Sequence, residues 1–189
     1  MDKLVVVYDA SVLYPAPLRS LLMYLALTGE FHAKWSEAIH DEWTRSLARD
    51  RPDIASEKIA KVRRLMKFHI PDGNVSDFES LIPTLTLPDP DDRHVLAAAI
   101  HAQASVIVTV NLRDFPATVL AGYGIEALHP DEFVIQLINQ SPESVCGAVR
   151  EQRESLTNPP QTVEQLLATF ERQGLVQTVT ALHKYSQLL

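Results

Sequence analysis

Residues 90–116 read Pro90-Asp91-Asp92-Arg93-His94-Val95-Leu96-Ala97-Ala98-Ala99-Ile100-His101-Ala102-Gln103-Ala104-Ser105-Val106-Ile107-Val108-Thr109-Val110-Asn111-Leu112-Arg113-Asp114-Phe115-Pro116. Val95, Leu96 and Ala99 stand three, four and seven residues after Asp92, which is one face of a helix. Ala97-Ala98-Ala99 is small enough to let that helix, expected over 91–103, lie close on a sheet. Ser105 to Thr109 then holds Val106-Ile107-Val108 without alternation and reads as a second buried strand. Open parallel sheets bind ligands at the carboxyl ends of their strands. Asp114 lies just past such an end, and Asp92 opens the helix that feeds the strand.

Outward from this stretch the same reading repeats. Leu4 to Tyr8 is a valine-rich run that predicts a first buried strand, with Asp9 directly after it. Residues 17–28 predict a helix buried through Leu18, Leu21, Leu22 and Leu25, with Gly29 as its stop. Ser36 caps a helix reaching about residue 49, striped by Ile39, Trp43 and Leu47, and Glu42 sits at the edge of that stripe. A helix from about 53 to 68 is expected to bury Ile54, Ile59, Val62, Leu65 and Met66. Pro71-Asp72-Gly73-Asn74 predicts a turn, and a short helix is expected over 75–81. A third strand is expected at Ile125 to Leu128, after a short helix near 116–121. The order indicates an α/β fold with a small parallel sheet flanked by helices. Beyond His129-Pro130 everything reads as helix, at about 131–139, 142–155, 161–173 and 174–187. We therefore expect a core domain over 1–132 and a helical C-terminal extension over 133–189.

Composition narrows the class. Apolar residues make up 46% of the 189, enough for an ordinary core at this length. The single cysteine, Cys146, allows neither an internal disulfide nor a zinc cluster, and this fits a reducing, cytoplasmic setting. The apolar run after Met1-Asp2-Lys3 is too short for a secretory leader, and no membrane span is expected. The net charge of −7 disfavours passive coating of nucleic acid. Yet eight of the 17 lysines and arginines fall between Arg45 and Lys67, including Arg49, Lys61, Arg63 and Arg64.

Taken singly, each acid has an ordinary structural reading: loop residue, helix cap, surface glutamate or Asx turn. Together, Asp9, Glu42, Asp92 and Asp114 would repel one another. Two carboxylates about 6 Å apart do so by roughly 3 kcal/mol at an effective dielectric near 20. Such a cluster raises its own pKa values unless a cation joins it. Oxygen ligands alone favour Mg2+ or Mn2+ over Zn2+. The seven histidines show no zinc-binding spacing. Glycine-rich nucleotide loops and a Gly-x-Ser-x-Gly elbow are also absent from the sequence.

Three segments together resemble the PIN-domain ribonucleases. They are Tyr8-Asp9-Ala10-Ser11-Val12-Leu13, then Ser36 to Trp43, and the stretch 90–116 quoted above. The last is similar to the subgroup that includes VapC toxins of bacterial toxin–antitoxin pairs. The resemblance spans about residues 3–130. It implies that Asp9, Glu42, Asp92 and Asp114 hold a catalytic Mg2+ or Mn2+, with Ser11, Thr109 and Asn111 as accessory polar groups. It also implies an RNA substrate, a small antitoxin partner and a homodimer. Many relatives carry an acid directly after the threonine, where this chain has Val110. RNA is expected to approach over Arg45, Arg49, Lys61, Arg63 and Arg64, which would neutralise phosphates. The alternative is a catalytically weak PIN-like scaffold that binds RNA or a partner without cutting. A dehalogenase-type phosphatase would need Asp-x-Asp after the first strand, where this chain has Asp9-Ala10-Ser11.

Overall fold

A computed structural model describes residues 3–189. Met1 and Asp2, which open the segment read against a leader, lie outside the described residues. In chain order the elements are β1 (Leu4–Tyr8), α1 (Ala10–Leu13), α2 (Ala16–Leu27), β2 (Phe31–Ser36), α3 (Glu37–Asp50), α4 (Ser56–His69), β3 (Asn74–Val75) and α5 (Arg93–His101). They continue with β4 (Val106–Val108), α6 (Ala117–Leu120), β5 (Glu126–Leu128), α7 (Pro130–Gln140), α8 (Pro142–Ser155), α9 (Val163–Arg172) and α10 (Val176–Leu182). Two compact units result. One joins the chain up to Tyr14 with Phe31–Leu128, and the other joins Pro15–Glu30 with His129–Leu189. Among the described residues no helix is long and apolar enough to cross a membrane.

The first unit is built on a five-stranded parallel sheet in the order β3-β2-β1-β4-β5. Central β1 and β4 carry the valine runs, and Val6, Val7, Ile107 and Val108 are buried. Strand pairing places Tyr8 opposite Val108, and Val108 opposite Leu128. The ladder runs one residue further, through Asp9 N–H to Val108 O at 3.1 Å and Thr109 N–H to Leu128 O at 3.0 Å. Asp9 and Thr109 are thus fixed by backbone at the carboxyl edge. Helix α5 lies on the sheet through Val95 to Ala99, all buried.

Two strands go beyond the three read from sequence. In Phe31–Ser36 buried Phe31, Ala33 and Trp35 alternate with exposed His32 and half-buried Lys34, so no continuous apolar run announces it. Strand β3 has two residues and exists through its pairing with Trp35 and Ser36. The helix expected over 75–81 is instead this strand, then a left-handed Asp77 (φ 64°) and a 3-10 segment at Glu79–Thr84. A residue at positive φ cannot continue a right-handed helix. Helix α4 begins at Ser56 rather than 53, since Ala55 has a non-helical ψ of 135° and Ile54 N–H bonds Arg51 O at 3.0 Å in the turn before it. Leu65, expected in the core, is 44% exposed, because Ile59 and Met66 define the buried side of α4.

Gly73 is required by close approach. A Cβ there would stand 2.7 Å from Trp35 Cζ2, and Trp35 is buried and stacked on Tyr8 with ring centroids 6.5 Å apart. Gly73→Ala should therefore cost about 1–3 kcal/mol by overpacking. Urea unfolding measures this, and an unchanged midpoint would show that Trp35 yields freely.

The second unit packs α2 with α7–α10. Leu18, Leu21 and Leu22 of α2 are buried in it, as are Phe133 and Val134 of α7 and Phe170 of α9. The buried Asp131 carboxylate accepts the Gln177 and Thr178 N–H groups at 3.0 and 2.8 Å, satisfying the start of α10. Thr162 and Gln165 form a capping box on α9. Cys146 is buried in α8, and burial raises its thiol pKa.

Candidate active site

The site grows from the two central strand ends. Asp9, only 2% exposed, accepts hydrogen bonds on Oδ2 from Ser11 Oγ at 2.5 Å and Thr109 Oγ1 at 2.8 Å. The hydroxyls are themselves held: Ser11 Oγ accepts Val110 N–H at 3.2 Å, and Thr109 Oγ1 accepts Asn111 N–H at 3.0 Å. This net ties the end of β1 to the end of β4. Asn111 joins it through its backbone, while its side chain is exposed. Burial pushes the Asp9 carboxyl pKa up, the two hydroxyls pull it down, and the Glu42 charge pushes it up again.

Asp92 occupies the N-cap position of α5, yet its carboxylate makes no capping bond. Asp89 takes the local capping work, accepting Asp91 N–H at 2.9 Å. Asp92 is half-buried, and its carboxyl is pushed up to about 7, first by burial and then by the charges of Asp9, Asp89, Asp114 and Glu42. The largest charge effects on it all come from carboxylates. Asp114 ends a 3-10 turn after β4, its N–H bonded to Asn111 O at 3.0 Å. Adjacent acids are placed differently: Asp91 is exposed, and Asp41 is paired with Arg63 at 2.7 Å.

The four sequence-derived acids therefore share one electrostatic field at the carboxyl edge. They do not form a closed cage: among the described residues no three His, Cys, Asp or Glu side chains are gathered tightly enough to hold a metal ion. The donor chemistry nonetheless fits a hard divalent cation. All four donors are carboxylates, and the largest charge effects on Asp92 come from the other acids. A cation would have to draw the acids together.

The basic stretch is less free than its composition implies. Arg63 binds Glu37 at 2.5 Å and Asp41 at 2.7 Å, Arg64 binds Glu57 at 2.6 Å, and Arg49 binds Asp50 at 2.8 Å. Arg45 and Lys61 are exposed, and Arg45 with Arg63 lines a groove of about 400 Å³ between α3 and α4.

Two histidines take roles that sequence spacing did not reveal. Buried His40 accepts Trp43 Nε1–H on Nδ1 at 3.0 Å, and burial, then Arg63, lowers its pKa to about 4. It is a neutral core residue. His94, in the first turn of α5, has Nε2 3.2 Å from Glu42 Oε2.

The sequence profile of the PIN domain matches residues 5–113, more than half of the chain, and the chain belongs to that family. A second profile, the VapC50 C-terminal domain, matches residues 130–184. A curated Mycobacterium tuberculosis protein named "Putative ribonuclease VapC50" is 40% identical over 82 residues, which is 43% of this chain and 48% of that protein. The chain thus spans about half the length of the curated relative it matches. No solved structure gives a significant match.

Proposed function

We propose that this chain is a divalent-metal-dependent endoribonuclease that hydrolyses RNA phosphodiester bonds as the toxin of a toxin–antitoxin pair. The observation that carries this reading is the Asp9–Ser11–Thr109 net at the carboxyl edge, together with an Asp92 whose carboxyl is pushed up by burial and by the charges of Asp9, Asp89, Asp114 and Glu42. Family membership and the relative's printed name support it. Asp9, Glu42, Asp92 and Asp114 would hold Mg2+ or Mn2+. When bound, the ion polarises the phosphate and lowers the pKa of a water. The chain's residues do the rest. Ser11 and Thr109 orient the Asp9 carboxylate and spend their protons on it, so neither hydroxyl is poised as a nucleophile. The acids accept the proton released by the attacking water.

We assign the nuclease to residues 1–132 and an appended role to 133–189, a division supported by the separate profile match at 130–184. The proposed partners are RNA, a small antitoxin protein and a second copy of the chain, acting in the cytoplasm. The test is incubation of purified protein with single-stranded RNA in Mn2+ and in chelator. Cleavage in Mn2+ alone supports an enzyme. RNA binding without cleavage under any divalent ion supports the scaffold reading, which the open spacing of the acids and the 42% exposed Val110 favour.

RNA approach over α3 and α4 gives a graded expectation. Surface ion pairs are worth about 0–1 kcal/mol, so phosphate can compete for paired arginines, while Arg45 and Lys61 are exposed and have no ion pair among the described residues. Arg45→Glu and Lys61→Glu should each flatten the salt dependence of RNA binding by about 0.7 in log–log slope. Arg49→Glu, beside Asp50, should change it less. Equal slopes in filter binding would place the RNA path elsewhere.

A further inference from the structure

We propose that His94 is a positioning residue for the metal centre, its Nε2–H holding the Glu42 carboxylate in the orientation that a divalent cation needs. This rests on the metal-dependent reading above.

Glu42 has a longer side chain than the three aspartates. It projects from the middle of α3, and its side chain is 44% exposed. A glutamate left free there would have to freeze several torsions on binding a cation. His94 Nε2 lies 3.2 Å from Glu42 Oε2, while the His94 side chain is 18% exposed. A carboxylate only accepts, so Nε2 carries the proton. The other ring nitrogen, Nδ1, is buried without a partner among the described residues. A leucine would fill the space without stranding a polar atom. What the imidazole adds is the hydrogen bond to Glu42.

The placement is also specific. The contact joins residues 52 apart in sequence, linking α3 to the first turn of α5, two residues beyond Asp92. It therefore sets where Glu42 stands relative to Asp92. The neighbour Asp41 shows the alternative. It is paired with the Arg63 guanidinium, which cancels its charge. The Glu42 carboxylate instead accepts a single hydrogen bond, from imidazole Nε2 to Oε2, which leaves its other oxygen for a cation. Hydrogen bonds of this kind to a ligand side chain commonly govern metal affinity.

The test is Mn2+ titration of the full chain without RNA, read by electron paramagnetic resonance, with urea unfolding alongside. His94→Leu should weaken Mn2+ binding about tenfold. His94→Gln, whose Nε2 reaches the position of the imidazole Nε2, should stay near wild type. His94→Asn, whose amide reaches only the Nδ1 position, should lose affinity as Leu does while remaining polar. In a Glu42→Gln background, His94→Leu should cause no further loss. Unchanged affinity in both His94→Leu and His94→Asn would overturn the proposal. So would an undiminished loss in the Glu42→Gln background, which would show His94 acting through the fold. A wild-type chain that binds no Mn2+ would remove the metal reading itself, and this proposal with it.

Discussion

Asp92→Asn is expected to reduce metal-dependent RNA cleavage by at least about a hundredfold while the fold survives. The substitution keeps the shape and removes the charge. Asp92 makes no capping bond whose loss could unfold α5. Asp9→Asn is expected to be as damaging, since an amide oxygen can still accept the Ser11 and Thr109 hydroxyls but brings no charge to a cation. Adjacent acids supply the controls. Asp91→Asn, at an exposed position, and Asp41→Asn, at a position paired with Arg63, should leave cleavage near wild type. Circular dichroism establishes folding and single-turnover cleavage gives the rates. Asp92→Asn or Asp9→Asn within a few-fold of wild type would remove that residue from the site.

The same substitution should stabilise the metal-free protein. The folded Asp92 carboxyl titrates near 7 against an ordinary 3.8, with burial as the first cause and the neighbouring carboxylates next. Below about pH 4 the group is protonated in both states and adds nothing. Between about 4 and 7 the unfolded chain has lost the proton that the folded chain still holds, so stability falls as pH rises. Above 7 the full penalty stays. Taken as free energy the shift is about 4 kcal/mol, and solvent screening at a half-buried position reduces this to about 1–2 kcal/mol. Asp92→Asn escapes that penalty. Urea unfolding in chelator should show it about 1–2 kcal/mol more stable than wild type at pH 8 and equal to it at pH 4. Mn2+ at a hundred times its Kd should stabilise the wild type by about 2.7 kcal/mol and the variant far less. A variant less stable than wild type at pH 8 would mean that the Asp92 charge is compensated in the fold.

What the sequence discloses follows from how local each cause is. Strands β1 and β4 lie at the centre of the sheet, so both faces demand apolar residues and the valine runs are plain. Strand β2 has polar His32 and Lys34 between its buried residues, and β3 has only its partner to define it. Neither carries a run that can be read alone. Asp9 and Asp114 were legible because a strand end is a local feature, and Asp92 because it opens an amphipathic helix. Glu42 was legible as the acid at the edge of the α3 stripe, but the stripe does not show that adjacent Asp41 is neutralised. That neutralisation comes from Arg63, which reaches across 22 and 26 residues to Asp41 and Glu37. The same pairing discounts the basic stretch as a free phosphate track, which no count of lysines and arginines reveals. The His94–Glu42 contact, 52 residues apart, is set by α3 meeting α5 and has no spacing signature.

The most direct test of the central claim is the chemistry of the RNA ends. If the acidic site directs water at the phosphate, the RNA's own 2′-hydroxyl takes no part in breaking the bond. Cleavage of an end-labelled single-stranded RNA in Mn2+ should then give only linear phosphate and hydroxyl ends, should stop in chelator and should be lost in Asp92→Asn. Products ending in 2′,3′-cyclic phosphate, or cleavage that persists in chelator, would contradict the account.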